Sequence, residues 1–217
     1  FITMVAVDGQ IVRSHLPDPG RLKELLIPDA ELLLRPAPKG SERKTKYSTV
    51  MVCHEGQLIS LVSALPNRFV LESLQNGNLP MFNDYQLIRA EIPIGNHRFD
   101  FLLKDPSGMD YFLEVKSVTF VKNGVAQFPD AITQRGAKHA LGLKKLVESG
   151  KKAGILFVCQ RPDANSFRPM WERDPKLAQA VLTANKSGVM VWCITLNVSK
   201  TEMTFNREIP VNLELPE

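Results

Sequence analysis

The sequence predicts an α+β protein of two parts, in which a small OB-like β-barrel is followed by an α/β domain with a mixed sheet. Three observations support this prediction. Short alternating segments separated by turns fill residues 1–65, as in small barrels. Helical and strand-like segments are interspersed over residues 66–217. The wholly apolar segment 154–159 is typical of a strand that is buried on both faces.

The predicted barrel contains five strands and one short helix. Asp8-Gly9 and Glu55-Gly56 favour hairpin turns, because glycine takes positive φ without strain. Pro17-Asp18-Pro19-Gly20 interrupts the chain before the helix. The chain begins at Phe1 inside a predicted strand, so we expect further residues to precede it. The strands are predicted at residues 1–7, 10–15, 30–35, 44–53 and 58–64, and the helix at 21–26.

The second part is predicted to begin with a helix at 67–76, which Asn67 caps and Gly77 ends. A meander of three antiparallel strands follows. A long helix, from Pro129-Asp130 to Gly150, then crosses over to a parallel strand, and Asp174-Pro175 opens another helix. The strands are predicted at residues 85–94, 98–104, 110–120, 154–159, 189–198 and 203–211.

The composition indicates a cytoplasmic globular protein. Hydrophobic residues make up 44% of the 217, which is enough for a sizeable core. No run approaches the roughly 18 apolar residues of a membrane span, and no signal segment opens the chain. Cys53, Cys159 and Cys193 are isolated in apolar stretches, which favours buried thiols in a reducing compartment over zinc ligands or disulfides.

Positive charge is concentrated in two segments, although the net charge is only +4. Residues 39–46 hold four basic residues against Glu42, and residues 130–152 hold six against two acidic ones. Such clusters favour a polyanionic partner, and we predict DNA. An OB-like surface would favour single strands, yet few aromatic residues accompany the charges. Two solvated lysine-rich faces remain the alternative. The candidate nucleic-acid-binding residues are Arg21, Arg43, Lys44, Lys46, Arg135 and Lys138.

Three polar side chains interrupt apolar strands of the second part. Glu114 and Lys116 lie two apart and therefore point to one face of their strand, and Asp100 lies on the preceding strand. Buried charges are tolerated where they compensate each other or bind a cation. We predict that Asp100 and Glu114 hold Mg²⁺ or Mn²⁺, with Lys116 as a catalytic residue. A structural ion pair of Lys116 with either acid is the alternative.

The surroundings of the triplet match the core of PD-(D/E)xK restriction-endonuclease-like proteins. An Asp precedes it on a hairpin strand, a basic helix follows, and a Glu-bearing helix comes before. Glu72 on that earlier helix is a candidate third acid, and Gln134 in the first turn of the crossover helix is a further catalytic candidate. His15 and His139 receive no catalytic role, since no nucleophile is placed beside either.

Several separate motifs, in order, resemble the sugar fermentation stimulation protein family over most of the chain. This resemblance implies an OB-like first domain, a nuclease-like second domain, and DNA binding linked to the regulation of sugar (maltose) use. A metal-dependent nuclease is the alternative function. The motifs are residues 15–22, Arg43-Lys44-Thr45-Lys46-Tyr47, Pro66-Asn67-Arg68, Arg98-Phe99-Asp100-Phe101, residues 113–119, Phe128-Pro129-Asp130-Ala131 with Thr133, Arg135-Gly136 and His139, Gln160-Arg161-Pro162-Asp163, and Phe167-Arg168-Pro169.

Overall fold

A computed structural model describes residues 1–18, 20 and 22–215. The first domain is one five-stranded sheet in the order β1-β2-β4-β3, with β5 paired to β4. The β1–β2, β3–β4 and β4–β5 pairs are antiparallel, whereas β2 meets β4 in a short parallel contact. The strands are β1 (Ile2–Val7), β2 (Gln10–His15), β3 (Glu31–Pro36), β4 (Tyr47–His54) and β5 (Gln57–Ser60).

The helix predicted at residues 21–26 is absent from the described part of that segment. Leu26 donates a backbone hydrogen bond to Leu22 at 2.8 Å, which closes a single turn and no more. Leu22 has φ of +46°, a left-handed conformation that an α-helix excludes. Leu22 and Leu25 are buried instead as part of the barrel core. Arg21 lies outside the described residues.

The second domain is built on a six-stranded mixed sheet in the order β14-β13-β11-β8-β7-β6. The predicted antiparallel meander is confirmed as β6-β7-β8, and α2 crosses from β8 to its parallel neighbour β11. The elements of this sheet are α1 (Leu65–Asn76), β6 (Gln86–Ile94), β7 (His97–Lys104), β8 (Asp110–Val118), α2 (Gln134–Glu148), β11 (Lys152–Cys159), α3 (Pro175–Lys186), β13 (Met190–Val198) and β14 (Met203–Ile209).

A small second sheet was not predicted. It consists of β9 (Phe120–Lys122), β10 (Val125–Phe128) and β12 (Ser166–Pro169), in the order β12-β10-β9. Strands of three or four residues carry too little periodicity to be identified from sequence. β12 pairs with β10 in parallel across more than 35 residues of chain, so its strand conformation depends on tertiary contacts.

Helix capping differs from the prediction at two of the three helices. Helix α2 begins at Gln134, after Thr133, whose hydroxyl accepts from the Gly136 amide at 3.1 Å. Helix α1 begins at Leu65 with no side-chain cap. Two capping predictions are confirmed. Asp174 is the N-cap of α3, and Gly77 takes the left-handed conformation after α1.

Both faces of the large sheet are covered. Helices α2 and α3 pack on one face around Phe157 and Leu177, and α1 packs on the other through Val70. Ion pairs join the two domains, from Arg173 to Glu24 and from Arg161 to Glu55. Within the described ranges, no helix is long and apolar enough to cross a membrane. All three cysteines are free, and Cys159 and Cys193 are buried.

Candidate functional site

Asp100 and Glu114 meet where the β7–β8 ladder ends. The antiparallel register pairs Phe101 with Leu113, which carries Asp100 to the level of Glu114. Asp100 Oδ2 then accepts the backbone amide of Val115 at 2.7 Å. This hydrogen bond from the backbone of β8 fixes the Asp100 carboxylate against that strand.

Helix α1 contributes Asn67, not Glu72, to the acidic pair. Asn67 donates its side-chain amide to Asp100 Oδ1 at 2.7 Å, so it does not cap the helix as predicted. Glu72 is five residues further on, about 140° around the helix. It is exposed and pairs with Arg68 at 2.8 Å. The structure therefore does not bring Glu72 to the pair.

Glu114 is the most constrained member of the site, with only 2% of its surface exposed. Its Oε1 accepts from Lys116 Nζ and also contacts His139 Nδ1. Arg135 Nε in turn donates to His139 Nε2 at 3.4 Å. Because arginine can only donate, Nε2 is the unprotonated nitrogen and Nδ1 carries the hydrogen towards Glu114. Helix α2 thus supplies a positioning histidine for the acid.

The spacing of His139 from Arg135 and Gly142 is a signal in the sequence that this histidine faces the sheet. His139 lies four residues after Arg135 and three before Gly142, on the side of α2 that faces the sheet. It is 6% exposed, and a polar residue there needs a partner. The only feature that identifies the partner is the fold, which places β8 beneath α2.

The two carboxyl groups differ in pKa. Burial, followed by the charge of Glu114, raises the pKa of Asp100 to about 6 despite hydrogen bonds from Val115 and Asn67. Burial would also raise the pKa of Glu114, yet the hydrogen bond from His139 and the charge of Lys116 outweigh it and lower that pKa. Near neutral pH the surroundings therefore stabilise the negative charge of Glu114, whereas a negative charge on Asp100 destabilises the folded state.

The donor set suits a hard cation. Glu114 Oε2 is buried without a hydrogen-bond partner, and a divalent cation beside it would also relieve the repulsion that Asp100 experiences. Within the part of the chain that the structure describes, no group of three His, Cys, Asp or Glu side chains could hold a metal. Further ligands would therefore be oxygens of other kinds, from the backbone, from amide or hydroxyl side chains, or from water.

A cavity of about 350 Å³ lies beside the pair, and both domains line it. Asn67, Lys116 and Thr133 come from the second domain, whereas Asp18, Gly20 and Ser63 come from the first. Asp18 Oδ1 accepts from the Gly20 amide at 2.6 Å, and burial, reinforced by Asp130, raises the pKa of Asp18. A Cβ at position 20 would lie 2.0 Å from Asp130 Oδ2, so a larger residue there would displace the Asp130 carboxylate.

The other predicted residues lie apart from the pair. Gln134, Arg135 and Lys138 line a second cavity, of about 900 Å³, on the outer side of α2. Gln134 lines the second cavity whereas Thr133, the residue before it, lines the first, and among the described residues Gln134 makes no hydrogen bond to Asp100 or Glu114. Lys116 lines the first cavity, and its ammonium also pairs with Glu114, as in the structural ion pair that was the alternative.

The basic segment of the barrel forms the exposed connection between β3 and β4. Lys44 and Lys46 are exposed, and Arg43 donates to Ser48 Oγ at 2.9 Å. Two aromatic side chains that could stack on bases, Trp171 and Phe69, are buried or partly buried. Trp171 is 8% exposed, and Phe69 packs against the core of the second domain.

Comparison with known proteins gives consistent matches along the chain. A family described as the sugar fermentation stimulation protein RE domain matches residues 64–202, and one described as the SfsA N-terminal OB domain matches residues 1–61. A sugar fermentation stimulation protein homolog of Acetivibrio thermocellus is 41% identical, over 97% of this chain and 91% of its own. The homolog of Clostridium tetani is 39% identical, over 98% and 92%.

One solved structure shares the fold over nearly the full length. It is Pyrococcus furiosus SfsA in complex with Ca²⁺, with a TM-score of 0.87 and 27% identity, covering 98% of this chain and 90% of that one. The predicted architecture, an OB domain followed by a domain with a mixed sheet, is thereby confirmed.

Proposed function

We propose that this chain, which belongs to the sugar fermentation stimulation protein family, is a DNA-binding protein. The observation that carries the proposal is a set of exposed, uncompensated cations on both domains. Lys44 and Lys46 on the barrel, and Arg135 and Lys138 on α2, are exposed and take part in no salt bridge among the described residues. Cations without an acidic partner gain most from binding phosphates.

Binding would depend on backbone charge and shape rather than on base contacts. The burial of Trp171 removes one candidate stacking surface, and Phe69 is partly buried against the core of the second domain, which favours charge over base stacking as the source of affinity. The test is the affinity for matched single-stranded and duplex oligonucleotides over a range of salt concentrations. A steep fall in affinity with salt is expected. Binding that is absent, or insensitive to salt, contradicts the proposal.

A second function, phosphodiester hydrolysis assisted by a divalent metal, is favoured by a separate observation. Glu114 Oε2 is a buried oxygen without a partner, beside a second carboxylate of raised pKa. A relative of the same fold is described in complex with Ca²⁺, a cation with similar preference for oxygen ligands. Asp100 and Glu114 would hold Mg²⁺ or Mn²⁺ in this chain.

The bound metal would supply an activated water and neutralise charge on the phosphodiester. Lys116 lines the adjacent cavity, where its ammonium would donate to a phosphate oxygen. Asn67 and Val115 would hold the Asp100 carboxylate in place, and His139 would hold that of Glu114. These three contacts fix both carboxylates before a substrate arrives.

The test is incubation of DNA and of RNA with Mg²⁺ or Mn²⁺, using the wild type and Asp100→Ala. Metal-dependent cleavage by the wild type that the substitution abolishes is expected. Cleavage that survives Asp100→Ala indicates a contaminating nuclease. No cleavage by the wild type leaves the DNA-binding proposal standing and removes this one.

The family also suggests a physiological role. We propose that DNA binding contributes to the regulation of sugar (maltose) use, and that the protein acts in the cytoplasm, where its three thiols remain reduced. Deletion of the gene, followed by measurement of transcripts for sugar use, tests the first point. Unchanged transcripts contradict it.

A further inference from the structure

The outer cavity beside α2 has an unusual distribution of charge. Its lining includes four cationic side chains and no Asp or Glu. Lys138 and Lys145 lie seven residues apart on one face of α2, and Arg135 lies at the start of that helix. Arg98 comes from β7 and approaches Glu91 only to 3.9 Å. The cavity therefore collects positive charge from two elements, and among the described residues only Arg98 of the four has an acidic partner.

The cavity has a closely packed wall as well as exposed cationic side chains. His97 lies against α2 at Gly142, where a Cβ would come within 3.1 Å of the imidazole ring. The same ring stacks on Phe99 and meets the edge of His139, with centroids 5.7 and 5.8 Å away. Burial, followed by the charges of His139 and Lys145, lowers the pKa of His97. The His97 ring is therefore a fixed hydrogen-bonding group in a positive field.

One side chain connects this cavity to the acidic pair. His139 belongs to the cavity lining, and its Nδ1 contacts Glu114. Thr133 lines the inner cavity and Gln134 the outer one, so the first turn of α2 separates the two. A strand that has one phosphate in the inner cavity can therefore pass across this turn and place another phosphate in the outer one.

We infer that the outer cavity, formed by Arg98, Arg135, Lys138 and Lys145 around His97, is a phosphate-binding subsite for the nucleic acid. The inference rests on the proposed function, since it supposes that a strand reaches the acidic pair. A phosphate fits the site because arginine and lysine donors satisfy its oxygens, and a ring N–H of His97 can add a further hydrogen bond. The phosphate can belong to the continuing backbone or to the end of a strand.

The test compares the double variant Lys138→Ala/Lys145→Ala with the control Lys176→Ala/Lys186→Ala. Each removes two exposed lysines from one helix, including the lysine in its last turn, so the change in net charge is the same. Affinity for short oligonucleotides is measured without metal, with ends that carry a 5′-phosphate, a 3′-phosphate or none. We expect the cavity variant to lose about tenfold in affinity and the control less than about threefold.

The three oligonucleotides identify the source of the phosphate. A wild-type preference for a phosphorylated end, lost in the cavity variant, assigns the subsite to a terminal phosphate. An equal loss for all three assigns it to the backbone, and the slope of log affinity against log salt then falls by about 1 to 2. Equal losses in the cavity variant and the control overturn the inference and leave DNA binding intact.

Inorganic phosphate separates a failure of the subsite from a failure of the proposed function. If the wild type binds no oligonucleotide, both the proposed function and the assignment to nucleic acid are overturned. A rise in melting temperature with phosphate, in the wild type and the control but not in the cavity variant, then retains the cavity as an anion site. An equal rise in all three proteins rejects that as well.

Discussion

The charge of Glu114 in the acidic pair is buried and paired, whereas the lysine charges of the basic loop of the barrel are exposed and, among the described residues, unpaired. Glu114 is buried and contacts both Lys116 and His139, whereas Lys44 and Lys46 stand in solvent without a partner. Buried charges need several fixed contacts, and their position is set accurately as a result. Exposed cations keep their freedom and act at a distance through the field they create. The first arrangement suits chemistry at one bond, and the second suits attraction of a long polyanion.

The largest effect should come from breaking the buried network. Glu114→Ala leaves Lys116 and His139 without their common partner, so the free energy of unfolding should fall by about 3–5 kcal/mol. Urea denaturation measures it. The control is Glu148→Ala, which breaks the exposed Lys144–Glu148 pair and should cost about 0.5 kcal/mol. Equal losses in the two variants would remove the distinction between buried and exposed charge.

Substitution of Asp100 should change the free energy of unfolding in the opposite direction. Its raised pKa of about 6 means that ionisation destabilises the folded state, so stability falls as pH rises from about 4 through 6. Asp100→Asn should therefore stabilise the metal-free protein at pH 7 by about 1–2 kcal/mol, after allowance for a weakened hydrogen bond. The gain should vanish below pH 4. Denaturation at several pH values measures it, and a pH-independent difference contradicts the prediction.

The same variant tests the metal proposal. Mg²⁺ or Mn²⁺ should raise the melting temperature of the wild type, because the cation binds the folded state alone, and should leave Asp100→Asn unchanged. Equal shifts in the two proteins would place any bound cation elsewhere.

A smaller effect is expected from the exposed loop. Replacing Arg43 and Lys44 by Ala should leave stability nearly unchanged and lower the salt dependence of DNA affinity by about 1 to 2 in log–log slope. The loss should be similar for unrelated DNA sequences, because backbone contacts carry no sequence information. A strong dependence of the loss on DNA sequence would mean that the loop reads bases.

The smallest effect should come from Glu72. Its exposed pair with Arg68 predicts a change of less than about 0.5 kcal/mol for Glu72→Ala, with DNA cleavage unaffected. A large loss of cleavage in this variant would return Glu72 to the site as the third acid that the sequence suggested.

The elements that were predictable share one property, which is that local sequence determines them. The meander, the crossover helix and the capping of α3 by Asp174 follow from alternation, turns and capping residues. The alternation of side chains along β8 likewise places Glu114 beside Lys116. The role of Asn67 could not be predicted, because an asparagine near the start of a helix has the same local signature whether it caps the helix or reaches another strand.

Local sequence likewise does not reveal the contact of His139 with Glu114, and it wrongly predicts a helix at residues 21–26. A lone histidine on α2 gains its role only from Glu114, which is 25 residues away in sequence. Leu22 has strong helix propensity, yet its burial in the barrel core accompanies a left-handed backbone. Tertiary contacts override local preference at both positions.

The wall shared by the two domains has a consequence for the protein's history. Asp18, Gly20 and Ser63 of the first domain face Lys116 and Thr133 of the second across one cavity. An exchange of either half by recombination would therefore replace one side of that cavity while keeping the other. A recombinant protein would retain the site only if the residues on the two sides of the cavity still matched each other. The two halves of the gene should accordingly share one genealogy, even where the residues that join them have drifted.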